Sequence, residues 1–280
     1  MKKLLIIGSS GFVGKSLNDY FKNKIKKKIK VINYSRSNNK NLKDIKKLPK
    51  TDCIIYCIRN KNIRSSLKFF FHFKNLLNKS HKNTKILFFS SGAIYGPRSV
   101  KKKINEKEKI NKKNYNKFSG YKKKYALEKF FLEQEFKKMA KEDFKVSIVR
   151  GFTFYGKHIL NYNYLISKII SAIKMNKKIK INNPYTYRSY MHADDMCKWL
   201  IKIVDISSNK CPIINLGSDK VLNLEKLTNF LNKKYNKNIL IIKNKSKKLD
   251  FYVPSINYAK KFLKLKNTVN FNDAIISLIK

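Results

Sequence analysis

Three glycines separated by two residues each, Gly8, Gly11 and Gly14, stand between an unbroken apolar run and an amphipathic one. Leu4 to Ile7 is too short for a helix and reads as a buried parallel strand. Phe12, Val13, Leu17 and Phe21 recur at helical spacing immediately afterwards. A strand, a tight turn and a helix in this order leave backbone N–H groups at the positive end of a helix dipole, a site suited to a pyrophosphate. Gly8 would make the turn, Gly11 would let the backbone approach phosphate, and Gly14 would let the helix lie close to the strand. Three glycines alone decide little, because G-x-x-G-x-x-G is not the general G-x-G-x-x-G fingerprint and an ordinary strand-to-helix turn is the plain alternative. Position favours the nucleotide turn: this is the first strand of the chain, and a second strand ends about twenty residues further on, as a βαβ unit requires.

A chain of 280 residues with 42% hydrophobic content can bury a large core. The few apolar residues after Lys2 and Lys3 are too short for a secretory signal, and no run approaches the roughly 18–20 residues of a membrane span. A cytoplasmic protein without a membrane span is expected. Cys53, Cys57, Cys197 and Cys211 lack paired C-x-x-C spacing, so buried thiols are expected rather than a metal site. Of 65 basic residues only six are arginine, and lysine therefore carries the formal charge of +48. Those lysines are spread over nearly every predicted helix and loop, whereas nucleic-acid surfaces use localised arginines and aromatics, so no specific nucleic-acid partner is expected. The abundance of Asn, Ile, Phe and Tyr alongside lysine points to compositional drift.

Further along, strands and helices alternate as in an α/β fold. Ile29 to Tyr34 reads as the second strand and ends in Ser35-Arg36. Ser35 occupies the place where an NAD site puts an acid on the ribose 2′-hydroxyl, and Arg36 suits a 2′-phosphate, so NADP is preferred over NAD. Asp52 to Ile58 is a third strand, ending near the cofactor at Ile58, and a helix from Ile63 to Asn78 follows. Lys85 to Phe89 is a fourth strand entering Ser90-Ser91-Gly92. Lys101 to Lys117 has almost no apolar periodicity and reads as a mobile loop. Tyr121 to Lys138 is a long helix on which Tyr125 and Lys129 share a face. With 16 tyrosines in so lysine-rich a chain, about three Tyr-x-x-x-Lys matches are expected by chance. Three occur, and only Tyr125 lies on the helix after a strand ending in a serine-rich turn. Helices at Tyr164 to Met175, Ala193 to Val204 and Leu222 to Leu231, with strands at Lys178 to Asn182 and Ile239 to Ile242, complete the pattern.

These motifs, in this order, resemble the extended short-chain dehydrogenase/reductase family, the NAD(P)-dependent epimerases, dehydratases and reductases of nucleotide sugars. G-S-S-G-F-V-G resembles its glycine turn, S-S-G-A-I-Y-G its fourth-strand motif and Y-A-L-E-K its tyrosine–lysine helix. R-G-F-T-F-Y-G from Arg150 resembles the segment that meets nicotinamide and substrate, R-S-Y-M-H-A-D-D from Arg188 the segment whose arginine holds a substrate diphosphate, and I-N-L-G-S-D from Ile214 a late strand. The resemblance implies a Rossmann-like doubly wound parallel sheet, mainly residues 1–151, and a smaller C-terminal substrate-binding lobe, mainly 152–280, from which the chain can re-enter the sheet. It implies Ser91, Tyr125 and Lys129 as catalytic residues. The cofactor would meet Gly8, Gly11, Phe12, Val13, Gly14, Ser35, Arg36, Ile58, Tyr125, Lys129 and Phe152, and the substrate Ser91, Thr153 and Arg188. The partner would be a nucleotide sugar, and a homodimer through the helix bearing Tyr125 is common among lookalikes.

Departures refine the expectation. Thr153 replaces an asparagine and Lys157 a proline, and Gly92-Ala93 stands where sugar 4,6-dehydratases carry Asp-Glu, which argues against dehydration. The reaction expected is 4-keto reduction or 4-epimerisation. Tyr125 would serve as acid/base, its pKa brought down toward working pH by Lys129 and a positive nicotinamide, while Ser91 orients the reacting oxygen. Arg188 would grip a diphosphate bidentately, with an ion pair to Asp194 or Asp195 as the structural alternative. His192 reads as a packed residue rather than a base. The competing reading is a non-catalytic member that binds RNA or senses NADP, which would have no need of Ser91, Tyr125 and Lys129 together. Replacing Arg36 by Asp is predicted to move cofactor preference from NADP toward NAD, measured as the ratio of the two dissociation constants. An unchanged ratio would count against the 2′-phosphate assignment.

Overall fold

A computed structural model describes residues 2–25, 29–35, 45–60, 62–77, 79–161, 164–236, 240–242 and 248–280. Arg36 lies outside the described residues. The apolar runs become β1 (Lys2–Ile7), β2 (Ile29–Tyr34), β3 (Cys53–Tyr56), β4 (Lys85–Ser91) and β5 (Lys145–Gly151). Between them lie α1 (Phe12–Lys24), α2 (Ile63–Leu76) and α3 (Gly120–Lys141). A sixth strand, β10 (Ile213–Leu216), comes from far down the chain, and the sheet runs β10-β5-β4-β3-β1-β2 with every pairing parallel. This is a Rossmann-like α/β fold.

Side-chain alternation explains the three layers. Leu4 and Ile6 of β1 face a core that includes Leu17, Phe21, Leu200 and Ile203, while Leu5 and Ile7 face Phe70, Phe73, Phe136 and Met139 on the other side. The remaining elements are β6 (Phe154–Tyr155), α4 (Leu165–Lys174), β7 (Ile179–Ile181), β8 (Thr186–Arg188), β9 (Met191–His192) and α5 (Ala193–Asp205). After β10 come β11 (Leu222–Asn223), α6 (Leu224–Lys234), β12 (Leu240–Ile242), β13 (Asp250–Tyr252), α7 (Asn257–Leu263) and α8 (Phe271–Ile279). Three small sheets, β11-β8-β13, β12-β7 and β6-β9, lie outside the main one.

Strand order locates the functional crevice. β2 and β3 flank β1 on opposite sides, so the direction of winding reverses between β1 and β3. In open parallel sheets the ligand crevice lies outside the carboxyl ends of the strands at that reversal. Gly8 follows β1, Ile58 and Arg59 follow β3, Ser91 ends β4 and Phe152 follows β5.

Two sequence expectations need correction. The third strand is shorter than Asp52 to Ile58, and the fourth runs on to Ser91. More substantially, Lys101 to Lys117 is an anchored segment, not a mobile loop. Ile104 and Tyr115 are fully buried, Ile104 bridges to Pro254, and the Tyr115 hydroxyl donates to the Ile94 carbonyl at 2.5 Å. Glu106 reaches the backbone N–H of Asn215 at 2.9 Å. Two buried apolar residues eleven positions apart make no strand or helix period, which is why the pattern misses them.

A buried ion pair fixes α3 on the sheet. Arg150 donates from Nε and Nη2 to Glu133 at 3.1 and 2.9 Å, and Ser90 Oγ donates to the same carboxylate at 2.6 Å. Arg150 and Glu133 are almost completely buried. Burial acts to lower the Arg150 pKa, but the Glu133 hydrogen bond and charge outweigh it and the guanidinium is held above its ordinary range. Removing one partner of such a pair leaves an uncompensated charge. Glu133→Ala is therefore expected to cost about 3–5 kcal/mol in urea unfolding, whereas Glu135→Ala, which breaks only a pair to the exposed Lys138, should cost under about 1 kcal/mol. Equal losses would contradict this account of how α3 is held.

Candidate active site

The glycine turn is shaped for a close ligand. Gly8 has φ of +105°, a conformation that favours glycine, and a Cβ there would stand 2.9 Å from the Cys57 and Ile58 backbone. A Cβ on Gly14 would fall 2.4 Å from Ser9 Cα, so only glycine lets α1 approach the turn this closely. The amides of Gly8 and Ser9 donate to the Tyr34 carbonyl at 2.9 and 3.2 Å, which ties the turn to the end of β2 and brings buried Ser35 beside it. Helix α1 begins after Gly11 with no side-chain cap and no acid in its first turn. Phe12 and Val13 occupy that first turn, and buried Ser9 Oγ has no hydrogen-bond partner among the described residues. A helix start without a carboxylate and with a glycine cradle fits the pyrophosphate of a dinucleotide.

Next to the turn, β4 and α3 bring the predicted pair together. The Ser91 hydroxyl accepts from the Ala93 amide at 3.2 Å, capping the following turn, and lies within hydrogen-bonding reach of the half-buried Tyr125. Lys129, one helical turn on, is buried; its ammonium donates to the carbonyls of Ile58 and Phe89 at 3.3 and 3.2 Å. It thus spans the ends of β3 and β4. Burial lowers its pKa, an effect opposed by Glu128.

Burial works against the depression of the Tyr125 pKa that is expected from Lys129 and a positive nicotinamide together. Burial, the largest cause, raises it; the Ser91 hydrogen bond and the Arg59 guanidinium lower it, and Glu128 raises it. Net, the phenol lies above its ordinary value and is protonated at neutral pH.

Two neighbours escaped the sequence reading. Tyr252 on β13 also lies within hydrogen-bonding reach of Ser91, and its ring packs on Phe152 with centroids 4.7 Å apart. Arg59 places its guanidinium carbon 5.3 Å from the Tyr125 ring centroid. Nothing in the lysine-rich run around Tyr252 distinguishes it, but Arg59 had a signal: a scarce arginine just past a buried strand.

The predicted substrate residues sit close by. Thr153 donates its hydroxyl to the Ser189 carbonyl, and Arg188 is the register partner of Tyr252. Arg188 donates to the Asp250 carboxylate at 2.5 Å, so its ion pair is with Asp250 and not with Asp194 or Asp195. Asp195 instead accepts from the amides of Thr268 and Val269. His192 caps α5, its Nδ1 accepting from the Asp194 amide at 3.2 Å.

Gly92 bears on the reaction class. A Cβ there would lie 2.8 Å from the Phe152 ring and 2.7 Å from the Tyr252 hydroxyl. A side chain at this position requires the Phe152 and Tyr252 rings to shift. Gly92→Asp is accordingly expected to lower the thermal unfolding midpoint, with a cost of about 1–3 kcal/mol from overpacking. A stability equal to the parent would show that the Phe152 and Tyr252 rings yield freely.

Residues 4–217 match the family described as the NAD dependent epimerase/dehydratase family. No curated protein matches the sequence. Among solved structures, the chain is similar to RMD from Pseudomonas aeruginosa complexed with NADPH, at 14% identity and TM-score 0.79, covering 100% of this chain and 96% of that one. It is similar to dTDP-glucose 4,6-dehydratase from Bacillus anthracis in complex with NAD, at 13% identity and TM-score 0.81, with coverage of 100% and 96%. It is also similar to a UDP-N-acetylglucosamine 4-epimerase from Methanobrevibacter ruminantium in complex with UDP-N-acetylmuramic acid, at 18% identity and TM-score 0.78, with coverage of 99% and 97%.

Proposed function

The chain belongs to the NAD dependent epimerase/dehydratase family, and from that premise we propose that it is an NAD(P)-dependent enzyme acting on a nucleotide-activated sugar by 4-keto reduction or 4-epimerisation. The observation that carries this reading is Ser91, at the carboxyl end of β4, standing within hydrogen-bonding reach of Tyr125 on α3. The likeness to a dTDP-glucose 4,6-dehydratase solved with NAD and to a UDP-N-acetylglucosamine 4-epimerase solved with UDP-N-acetylmuramic acid supports the substrate class.

When bound, the nicotinamide supplies or accepts the hydride. The amides around Gly11, Phe12 and Val13 would hold its pyrophosphate, and Ile58 and Phe152 would line the crevice. Ser35 and Arg36 favour NADP. Lys129 would exchange a carbonyl contact for the nicotinamide ribose. Ser91 would hold the sugar oxygen at C4 by a hydrogen bond, and Tyr125 would deliver a proton to that oxygen in reduction or take one from it in oxidation. A phenol protonated in the free protein suits the reductive direction. Its rate should fall as pH rises through the Tyr125 pKa, because the proton donor is then lost. Arg188, on the strand paired with Tyr252, is the candidate for the diphosphate and would have to share or leave Asp250. The crowding at Gly92 favours reduction or epimerisation over dehydration. A location in the cytoplasm and a homodimer remain part of the reading.

The test is a panel of UDP- and dTDP-linked sugars and 4-keto sugars, assayed by NADPH oxidation and by mass spectrometry of the products. Turnover is expected with at least one, and Tyr125→Phe should lower kcat by about a hundredfold or more while leaving NADPH binding in place. No turnover across the panel, or full activity in Tyr125→Phe, would overturn the proposal. NADPH binding with no activity on any sugar would favour a sensor, and salt-dependent RNA retention with no cofactor uptake an RNA binder.

A further inference from the structure

Arg59 follows β3 at the rim of the crevice, in a chain that supplies nearly all its positive charge as lysine. Its guanidinium carbon lies 5.1 Å from the Tyr121 ring centroid and 5.3 Å from that of Tyr125, and those two rings are stacked at 12°. Its Nη1 donates to the Tyr164 hydroxyl at 3.3 Å. One planar cation thus joins the sheet, the helix bearing Tyr125 and the residue that precedes α4. A guanidinium is a wider, more weakly hydrated cation than an ammonium and can meet both rings and the Tyr164 hydroxyl at once, so residue type matters here.

The other groups around Tyr125 do not replace it. On α3 itself, Lys129 is committed to two backbone carbonyls and Glu128 accepts from Ser66 Oγ at 2.9 Å. Ser91 of β4 is neutral, and Tyr252 of β13 reaches it from the far side. Tyr164 is a further phenol whose hydroxyl faces Arg59. Of the two cations over the Tyr125 ring, Arg59 is the nearer, at 5.3 Å from the centroid against 5.9 Å for the Lys129 ammonium.

We infer that Arg59 is a positioning residue for Tyr125, holding its ring at the mouth of the crevice and favouring its ionised form by a cation on the ring face. The inference deepens the proposed function, resting on Tyr125 as the acid/base group, but it can be tested without any substrate. The Arg59 charge offsets part of the effect of burial, which still leaves the phenol above its ordinary value.

The full-length protein labelled with ¹³C at tyrosine Cζ is titrated by NMR from about pH 7 to about pH 11, the Tyr125 signal being assigned with Tyr125→Phe. Arg59→Gln is expected to move the Tyr125 titration to higher pH, and Arg59→Lys to give an intermediate curve because the charge is kept on a more compact, more strongly hydrated head group. Identical Tyr125 curves in parent, Arg59→Gln and Arg59→Lys would overturn the inference. So would a loss of NADPH affinity in Arg59→Gln with the Tyr125 signal unmoved, which would assign the guanidinium to the cofactor. Circular dichroism checks that the variants fold, and Arg59→Met serves if Arg59→Gln does not. Failure of the sugar panel leaves this titration interpretable, so the two readings fail separately.

Discussion

The pairing of Glu133 with Arg150 holds the site together. The carboxylate sits on α3 two helical turns beyond Tyr125, and the guanidinium comes from β5. The same carboxylate receives the hydroxyl of Ser90, the immediate neighbour of Ser91. One buried acid therefore sets the height of α3 against both β4 and β5, and with it the approach of Tyr125 to Ser91. Burying two charges is costly unless every hydrogen-bonding position is used. Here Arg150 also donates to the Tyr95 hydroxyl at 2.9 Å and to the Glu106 carbonyl at 3.3 Å. Tyr95 in turn donates to Asn215 on β10 at 2.9 Å. The network draws the anchored 101–117 segment and the last strand of the sheet under the same crevice.

Around that fixed floor, steric limits define what can enter. Gly8 and Gly14 admit a backbone approach that no side chain would allow, and the start of α1 offers uncapped dipole to an anion. On the opposite wall, the rings of Phe152 and Tyr252 close the space over Gly92. The glycine turn therefore leaves room at one end, and a side chain at Gly92 would meet two rings at the other. Those two limits, together with two hydroxyls in reach of each other, delimit the chemistry more sharply than charge does.

Much of this was legible in the sequence because it is local. The glycine turn, the unbroken apolar strands and the Tyr125–Lys129 helical spacing each depend on residues a few positions apart, where strand and helix periods speak directly. Ser91 could be linked to Tyr125 only through motif order, and the fold brings them together. What stayed hidden is contact between distant segments. Ile104 and Tyr115 carry no period, Asp250 lies 62 positions from the arginine it pairs with, and Tyr252 sits in an undistinguished run. The opposition that burial offers to Tyr125 ionisation was hidden for a related reason: burial is a property of the assembled crevice, and it works against the charge that a neighbouring ammonium would favour.

The most direct measurement is a crystal structure of the protein grown with NADPH. The account expects the pyrophosphate against the amides that open α1 and the nicotinamide beside Ser91 and Tyr125, with Lys129 turned to the ribose. Density for the dinucleotide elsewhere, or a nicotinamide out of reach of the Tyr125 hydroxyl, would contradict it.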